Sequence, residues 1–476
     1  MTLLSDLSMV PHEQITNVAH VKRFLERWTM DPSYQQYFNR EPQGAIEQLG
    51  LALVPEDVLP FIVNEESIKL GQAEKEGKDG AYPLAVRQYR AFIIEKLARR
   101  PFFREAGQPA HPRFAAWRER QIKRCLGELG AVKADGITHS PLAVELTKGC
   151  TVGCWFCAFE APTLSGIFRY SDQNKTLWQK VLQVLQELLG DGAKNGFLYW
   201  AGEPMDNPDY ELFLADFYTI MERCPQTTSA APVRNLERTA GMIKLFQRLG
   251  SEIDRFSILS LDMLSRVHSA FSPEELLRME LIPQNPEAGS QFQKANSGRA
   301  RKHAEARKDE VAGMESASTT ACLSGFLLNM VDRSAKLITP CNTTEKWPLG
   351  YWILEEGNFE TAGDLKELMT GMMERNMRET LRIDDVVALR SDLTWESAAA
   401  SFSIASLHLK LNFNYYPAPS ALETLVKEAC RTAGEIASAM EKVHGVSMPE
   451  TFLVLNDFFK KGLVDEEPRS ASQVKV

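Results

Sequence analysis

Cysteine is scarce in this chain. Eight in 476 residues are too few to staple a protein of this length with disulfides. Long apolar runs are missing too: no stretch approaches the roughly 18 uninterrupted apolar residues of a membrane span, so no membrane association is expected. Positive charge is in deficit. A formal net charge of −9 argues against a nucleic-acid binder held by a general basic surface. The opening residues, MTLLSDLSMVPHEQ, lack a basic stretch followed by an apolar block, so no secretion signal is read there. No internal repeat is apparent. The expectation is a cytoplasmic protein, 44% hydrophobic, with material for about two to four domains.

Residues 1–75 read as a helical region. VKRFLERW places Val21, Phe24, Leu25 and Trp28 on one helix face, and Asp31-Pro32 starts a second helix carrying Tyr34, Tyr37 and Phe38. The polar stretch GQAEKEGKDG marks a boundary, and residues 76–140 form a second, basic helical region that connects to a core. From 141 to 355 strands alternate with amphipathic helices, which predicts an α/β core of parallel strands with helices outside. Within it residues 290–316 are polar, charged and nearly free of large apolar side chains. They are expected to form a mobile loop or a solvated helix. Residues 356–476 end in helices.

Three cysteines stand apart from this pattern. Cys150, Cys154 and Cys157 crowd into eight residues after the strand PLAVEL, which favours metal binding in a reducing compartment. Soft thiolates suit iron–sulfur or zinc. A closed zinc site wants four protein ligands, and the only nearby candidate for a fourth is Cys125. Three ligands instead leave one iron of a [4Fe–4S] cluster open. This loop, CxxxCx-aromatic-C with Phe156 as the aromatic, resembles that of the radical S-adenosylmethionine (SAM) superfamily. The resemblance implies a partial (β/α)6 barrel and places Phe156 near the adenine of SAM. It extends to Ala201-Gly202-Glu203-Pro204 at the end of the next strand, where the superfamily's GGEP-like turn binds the SAM amino group; Ala201 replaces the first glycine. Ser229 matches a position that often holds a ribose-binding polar residue, and Arg234 is a candidate clamp for the SAM carboxylate. Ordinary loop polarity is the competing reading for both.

Four segments in order resemble the amino-acid epimerases of ribosomally made peptides, the proteusin or polytheonamide type: RFAAWRERQIKR, ELTKGCTVGCWFCAFEAP, YWAGEPMDNPDYELF and ACLSGFLLNMVDRSAKLITPCNTTEKWPLGY. Membership would imply a 5′-deoxyadenosyl radical that takes a peptide Cα hydrogen, with another hydrogen returned to the opposite face. An L-residue thereby becomes a D-residue. A cysteine thiol is the natural donor, and barrels place their chemistry at the C-terminal ends of the strands. Cys341, after AKLIT, is the first choice on that ground, Cys322 the second, and a buried small hydrophobe is the bland reading of both. Cys125, Cys224 and Cys430 are left as structural. With one cysteine after residue 355, no second thiolate-held cluster is expected there.

The implied partners are a ribosomal precursor peptide with its leader and an electron donor such as flavodoxin or ferredoxin. TAGEIASAMEKVHGV and FLVLNDFFKKGLV resemble the helical part of the small winged-helix domain that holds leader peptides by strand addition, so a small, mostly helical C-terminal domain is expected. DPSYQQYFNREPQGAIEQLGLALVPEDV resembles proteusin leader segments themselves. Two other functions stay open: another single-cluster peptide modification, such as a crosslink or dehydrogenation, and a non-catalytic iron–sulfur or zinc protein that binds peptides.

Overall fold

Asp31 sets the shape of the N-terminal region. Its side chain accepts from the amides of Ser33 and Tyr34, and Pro32 occupies the first turn, so the helix His12–Met30 stops and the helix Pro32–Arg40 starts at one residue. Phe24 and Trp28, one helical turn apart, meet Phe38 with ring centroids at 5.1 and 5.5 Å. The helices Pro42–Gln48, Leu59–Ile62 and Asn64–Lys75 complete this layer. The computed structural model describes residues 7–288, 295–306, 319–414 and 416–468. Among the described residues no helix is long and apolar enough to cross a membrane.

The core is mixed α/β, and among the described residues its strands form no closed barrel. β1 (Ser140–Glu145) leads into an antiparallel pair of two-residue strands, β2 (Thr147–Lys148) and β3 (Gly166–Ile167). β4 (Thr228–Ser229), β5 (Asp254–Ile258) and β6 (Met279–Pro283) form a parallel sheet. A second sheet has the order β1–β7–β8–β9, with β7 at Leu323–Asn329, β8 at Ser334–Pro340 and β9 at Tyr351–Asn358. The segment at Phe197 bridges in parallel to Ala143 of β1. Helices Asp172–Leu189, Tyr210–Met221 and Leu236–Arg248 cover the outer side, and alternation along the strands decides what faces them. In β5, Phe256 and Ile258 are buried among the helices, so Arg255 turns the other way, as a period of two requires. There it meets Glu280 of β6 at 2.7 Å. Tyr199 belongs to the same interior face, its hydroxyl 2.8 Å from that of Thr228.

Only β1 and β7 of the second sheet run parallel; β8 and β9 reverse direction in turn. Ser334 of β8 pairs with Asn329 at the end of β7, whereas Ile338 pairs back to Gly325 near its start. The end of β8 therefore lies at the start of β1 and β7, not beside their C-terminal ends.

The helix Leu84–Ala106 runs beneath the leading ends of the strands. Arg99 pairs with Glu252, just before β5, at 2.6 Å. The Ala106 carbonyl accepts from the Asn195 side-chain amide, just before Phe197, at 2.7 Å. Lys96 reaches Glu280. Burial works to raise the Glu280 pKa, but Arg255 and Lys96 outweigh it and hold the carboxyl at about 2. A depressed pKa contributes stability above the ordinary value of 4.5, which is lost as pH falls from there toward about 2. Glu280→Gln is expected to flatten this part of the acid limb in unfolding measured at stepped pH; a limb of unchanged steepness would contradict the assignment.

Two expectations change here. The boundary placed at 355 falls inside β9, and the helix Ala362–Asn376 buries Leu365, Met369, Met372 and Met373 in the main core. The separate C-terminal cluster begins at Leu381. That region is also less helical than expected: β10 (Thr394–Ser397), β11 (Ser401–Ala405) and β12 (Lys410–Asn414) form an antiparallel sheet before the helices Pro419–Lys427, Ala433–His444 and Met448–Lys460. One aromatic from each strand stacks across it, Trp395 on Phe402 at 4.4 Å and Phe402 on Phe413 at 4.7 Å. Of the polar segment 290–316, residues Gly298–Ala306 are helical with Ala300 and Ala304 buried; 290–294 and 307–316 lie outside the described residues.

Candidate functional site

The cysteine loop begins where β1 ends. The Cys150 amide donates to the Pro162 carbonyl at 2.9 Å, and β2 and β3 close the loop at its base. Gly149 sits at φ +87°, and a Cβ there would lie 2.4 Å from the Thr163 carbonyl oxygen, so glycine is required for this closure. The three thiols are half-buried. Backbone amides point at two of them, Val152 to Cys150 and Ala161 to Cys157, each at 3.4 Å. Burial, reinforced by the neighbouring Cys150 and Cys157, raises the Cys154 thiol to about 11.

Among the described residues no three His, Cys, Asp or Glu side chains are gathered to hold a single metal ion. A zinc ion with Zn–S bonds of about 2.3 Å needs its thiolates within about 4 Å of one another. A cubane cluster gives each thiolate its own iron, and three half-buried thiols on one loop, with amides aimed at two of the sulfurs, fit that role. Cys125 offers no fourth ligand. It is fully buried in the helix Pro112–Leu129, with its thiol directed at the Pro340 carbonyl at 3.5 Å.

Glu203 is the buried centre of the neighbouring turn, 3% exposed. It accepts from the Ser229 hydroxyl at 2.7 Å, the Ala230 amide at 2.7 Å and the Met205 amide at 2.9 Å. Burial raises its pKa, and these three donors oppose the rise. Glu203 and Ser229, separated by 26 residues, are thus in direct contact. The Ala201 amide donates to Glu145 at 2.9 Å, and Pro204 opens a single 3-10 turn to Asp206. Phe156 packs edge-on to Trp155, with centroids 5.4 Å apart.

Arg234 lies in the same place, but it is already paired. It donates to Asp206 at 2.6 Å and to the Thr151 hydroxyl at 2.6 Å, while Asp206 accepts from the Thr151 amide at 2.8 Å. This triangle staples the cysteine loop to the Glu203 turn. Asp206 and Thr151 carry no signal that sequence reasoning used, although an acid three residues past the Glu of such a turn is where to look. Arg299 was missed as well. Its guanidinium donates to the carbonyls of Cys154 and Ala161 at 2.7 and 2.6 Å, and its amide to that of Cys157 at 2.9 Å. Gly298 makes this approach possible, at φ +53° with a Cβ position 2.3 Å from the Ala158 oxygen.

The two candidate donors part company. Cys341 follows the reversed strand β8 and so sits at the far end of the sheet from the cysteine loop. Its thiol, 1% exposed, faces Arg124, Glu128 and Cys125 of the outer helix, and burial pushes its pKa well up. Cys322 lies at that same end of the sheet, so the first-choice assignment fails on the face its thiol occupies, which is turned away from the interior. Cys322, half-buried, precedes β7 at the level of Ser140 and shares the interior face with Tyr199 and Arg255. Burial raises its pKa, opposed by the Thr138 backbone and by Arg255. Of the cysteines left as structural, Cys125 and Cys224 are buried, whereas Cys430 is exposed.

No protein-family model matches the sequence. Over 464 residues the chain is 36% identical to the uncharacterized protein y4wI of Sinorhizobium fredii, an alignment covering 96% of this chain and 88% of that one. This chain belongs to the y4wI family. A crystal structure of BtrN in complex with AdoMet and 2-DOIA aligns over 41% of this chain and 71% of BtrN, at 13% identity and a TM-score of 0.28. That likeness is too slight to carry an argument about fold or site.

Proposed function

We propose that this protein is a radical SAM enzyme, and within that class a peptide epimerase that turns L-residues of a ribosomal precursor peptide into D-residues. One observation carries the first part: three half-buried thiols on a single loop, fastened through Thr151, Asp206 and Arg234 to the turn that holds Glu203 and Ser229. On this reading the strands β1, the Phe197 segment, β4, β5 and β6 are the remnant of an open (β/α)6 barrel. Cys150, Cys154 and Cys157 hold a [4Fe–4S] cluster. Phe156 flanks the adenine of SAM, Ala201, Gly202, Glu203 and Pro204 receive its amino group, and Ser229 fixes both Glu203 and the ribose. Cluster and SAM together supply a carbon radical able to remove a Cα hydrogen.

What this chain must add is a hydrogen atom from the opposite face. Cys322 fits that task better than Cys341. Both cysteines lie at the leading ends of the strands and both thiols are raised by burial, but Cys322 is the one on the interior face, beside Tyr199 and Arg255. Giving up the hydrogen leaves a thiyl radical on Cys322. One electron and one proton from an external donor such as flavodoxin or ferredoxin restore the thiol. The leader of the precursor is expected to add as a strand to β12, an edge of the C-terminal sheet.

The test runs in two stages. Protein reconstituted with iron and sulfide and reduced by dithionite is expected to convert SAM to 5′-deoxyadenosine, and a variant with all three loop cysteines changed to alanine is expected to retain neither iron nor turnover. Intact reconstituted protein that binds iron but leaves SAM uncleaved would instead support a peptide-binding iron–sulfur protein. With a precursor peptide in deuterium oxide, epimerisation adds about one mass unit per converted site, because the thiol exchanges with solvent. A crosslink or dehydrogenation removes hydrogen and would overturn the epimerase reading while keeping the radical one.

A further inference from the structure

A cleft of about 280 Å³ lies at the seam between the N-terminal helices and the core helix Leu261–Ala270. Its walls include Arg23, Arg27, Tyr34, Gln48, Ser265 and His268, and no carboxylate. Arg23 is 5% exposed. Its terminal nitrogens donate to the carbonyls of His268 and Phe271 at 3.1 and 2.8 Å. Neither partner is charged, and Glu26, Glu274 and Glu275, the carboxylates that act on it, do so from beyond ion-pair distance. A buried guanidinium with no carboxylate in direct contact is costly and leaves room for a closer anion. The Nε atoms of Arg23 and Arg27 and the Nδ1 of His268 are buried and without hydrogen-bond partners among the described residues.

The acids nearby are committed elsewhere. Glu26 is held by Lys22 and by His268. Asp31 is held by Arg27 at 2.6 Å and by the amides of Ser33 and Tyr34. Glu274 is held by His20 at 3.2 Å, and Glu275 accepts from the Ser272 amide at 2.8 Å. The cleft thus presents two guanidinium groups, that of Arg27 already paired with Asp31, together with the hydroxyls of Tyr34, Ser265 and Ser269 and an imidazole, from two different layers of the molecule. Its volume is just below that of pockets for drug-sized ligands, about 300 Å³ upward, and suits a small group.

We infer that this cleft binds a small oxyanion, a carboxylate or a phosphate, held between Arg23 and Arg27. The ligand is either free or borne on a peptide side chain. The inference is independent of the radical chemistry. It also gives the seam a function: an anion here bridges the N-terminal helices to the core and stabilises their docking in proportion to its occupancy.

The full-length chain is heated with inorganic phosphate, glutarate or N-acetyl-aspartyl amide, each against sodium chloride at matched ionic strength. At least one oxyanion is expected to raise the melting temperature saturably where chloride does not. Strongest stabilisation by the aspartyl amide points to a peptide ligand, and by phosphate or glutarate to a free one. Arg23→Met should abolish the effect, but it also removes donors to the end of the core helix. The deciding variant is therefore Gln48→Glu with Ser269→Asp, both at exposed positions of the rim. It should fold normally and weaken the oxyanion at least about tenfold through like-charge repulsion. Equal stabilisation of this variant and the wild type, equal stabilisation by chloride, or none by any oxyanion would overturn the assignment.

Discussion

Replacing Cys322 by alanine is expected to abolish D-residue formation and deuterium uptake while leaving iron content and SAM cleavage in place. Cys341→Ala is expected to retain both peptide readouts. The contrast follows from position rather than from cysteine chemistry, since burial raises both thiols. A planar Cα radical has two faces, and the loop of Cys150, Cys154 and Cys157 addresses one of them. On the proposed reading a donor for the other would share the interior with the substrate, and Cys322 lies on that interior face beside Tyr199 and Arg255. Cys341 looks outward into the helix Pro112–Leu129. The readouts are peptide mass in deuterium oxide and chiral analysis after hydrolysis. D-residues formed normally by Cys322→Ala would sink the assignment, and their loss in Cys341→Ala with a normal melting temperature would restore the other.

The largest effect on stability is expected at Arg124. Its guanidinium, 1% exposed, pairs with Glu128, donates to the Pro340 carbonyl, and reaches Gln121 at 2.8 Å and Thr339 at 3.3 Å. It lies over the Trp352 ring at 3.8 Å. One side chain thereby ties an outer helix to the ends of β8 and β9. Arg124→Met keeps the aliphatic stem but leaves Glu128 and the Pro340 carbonyl short of a partner, at a cost of about 3–5 kcal/mol. Arg124→Lys keeps the charge without the planar fork and should fall between. Urea denaturation midpoints check this; a loss for Arg124→Met under about 1 kcal/mol, the range of an exposed pair, would show that the network is dispensable.

The parts of the site that are contiguous in sequence were legible there. The three cysteines occupy one loop, and Ala201-Gly202-Glu203-Pro204 is one turn, so local spacing sufficed. Arg234, Asp206 and Thr151 converge from three segments, with up to 83 residues between partners, and no periodicity records that. The direction of β8 was legible but overlooked. Four residues, 330–333, separate β7 from β8, whereas a parallel crossover needs about a dozen. The pair had to be antiparallel, and Cys341 had to return to the opposite end. The sheet β10–β12 was similarly available, since TWES, SFSIA and KLNFN alternate with a period of two.

The helix Leu84–Ala106, anchored by Lys96, Arg99 and Ala106 under the leading ends of the strands, makes the interior a blind alley rather than a tunnel. Were the substrate the precursor peptide proposed above, it would not thread through and leave by the far side but would be fed in and drawn back through the mouth near the cysteine loop, as a free end or a doubled-over segment. Each residue presented would then cost one insertion and one withdrawal, and a leader gripped at β12 would act as a tether that sets how far along the chain such excursions reach.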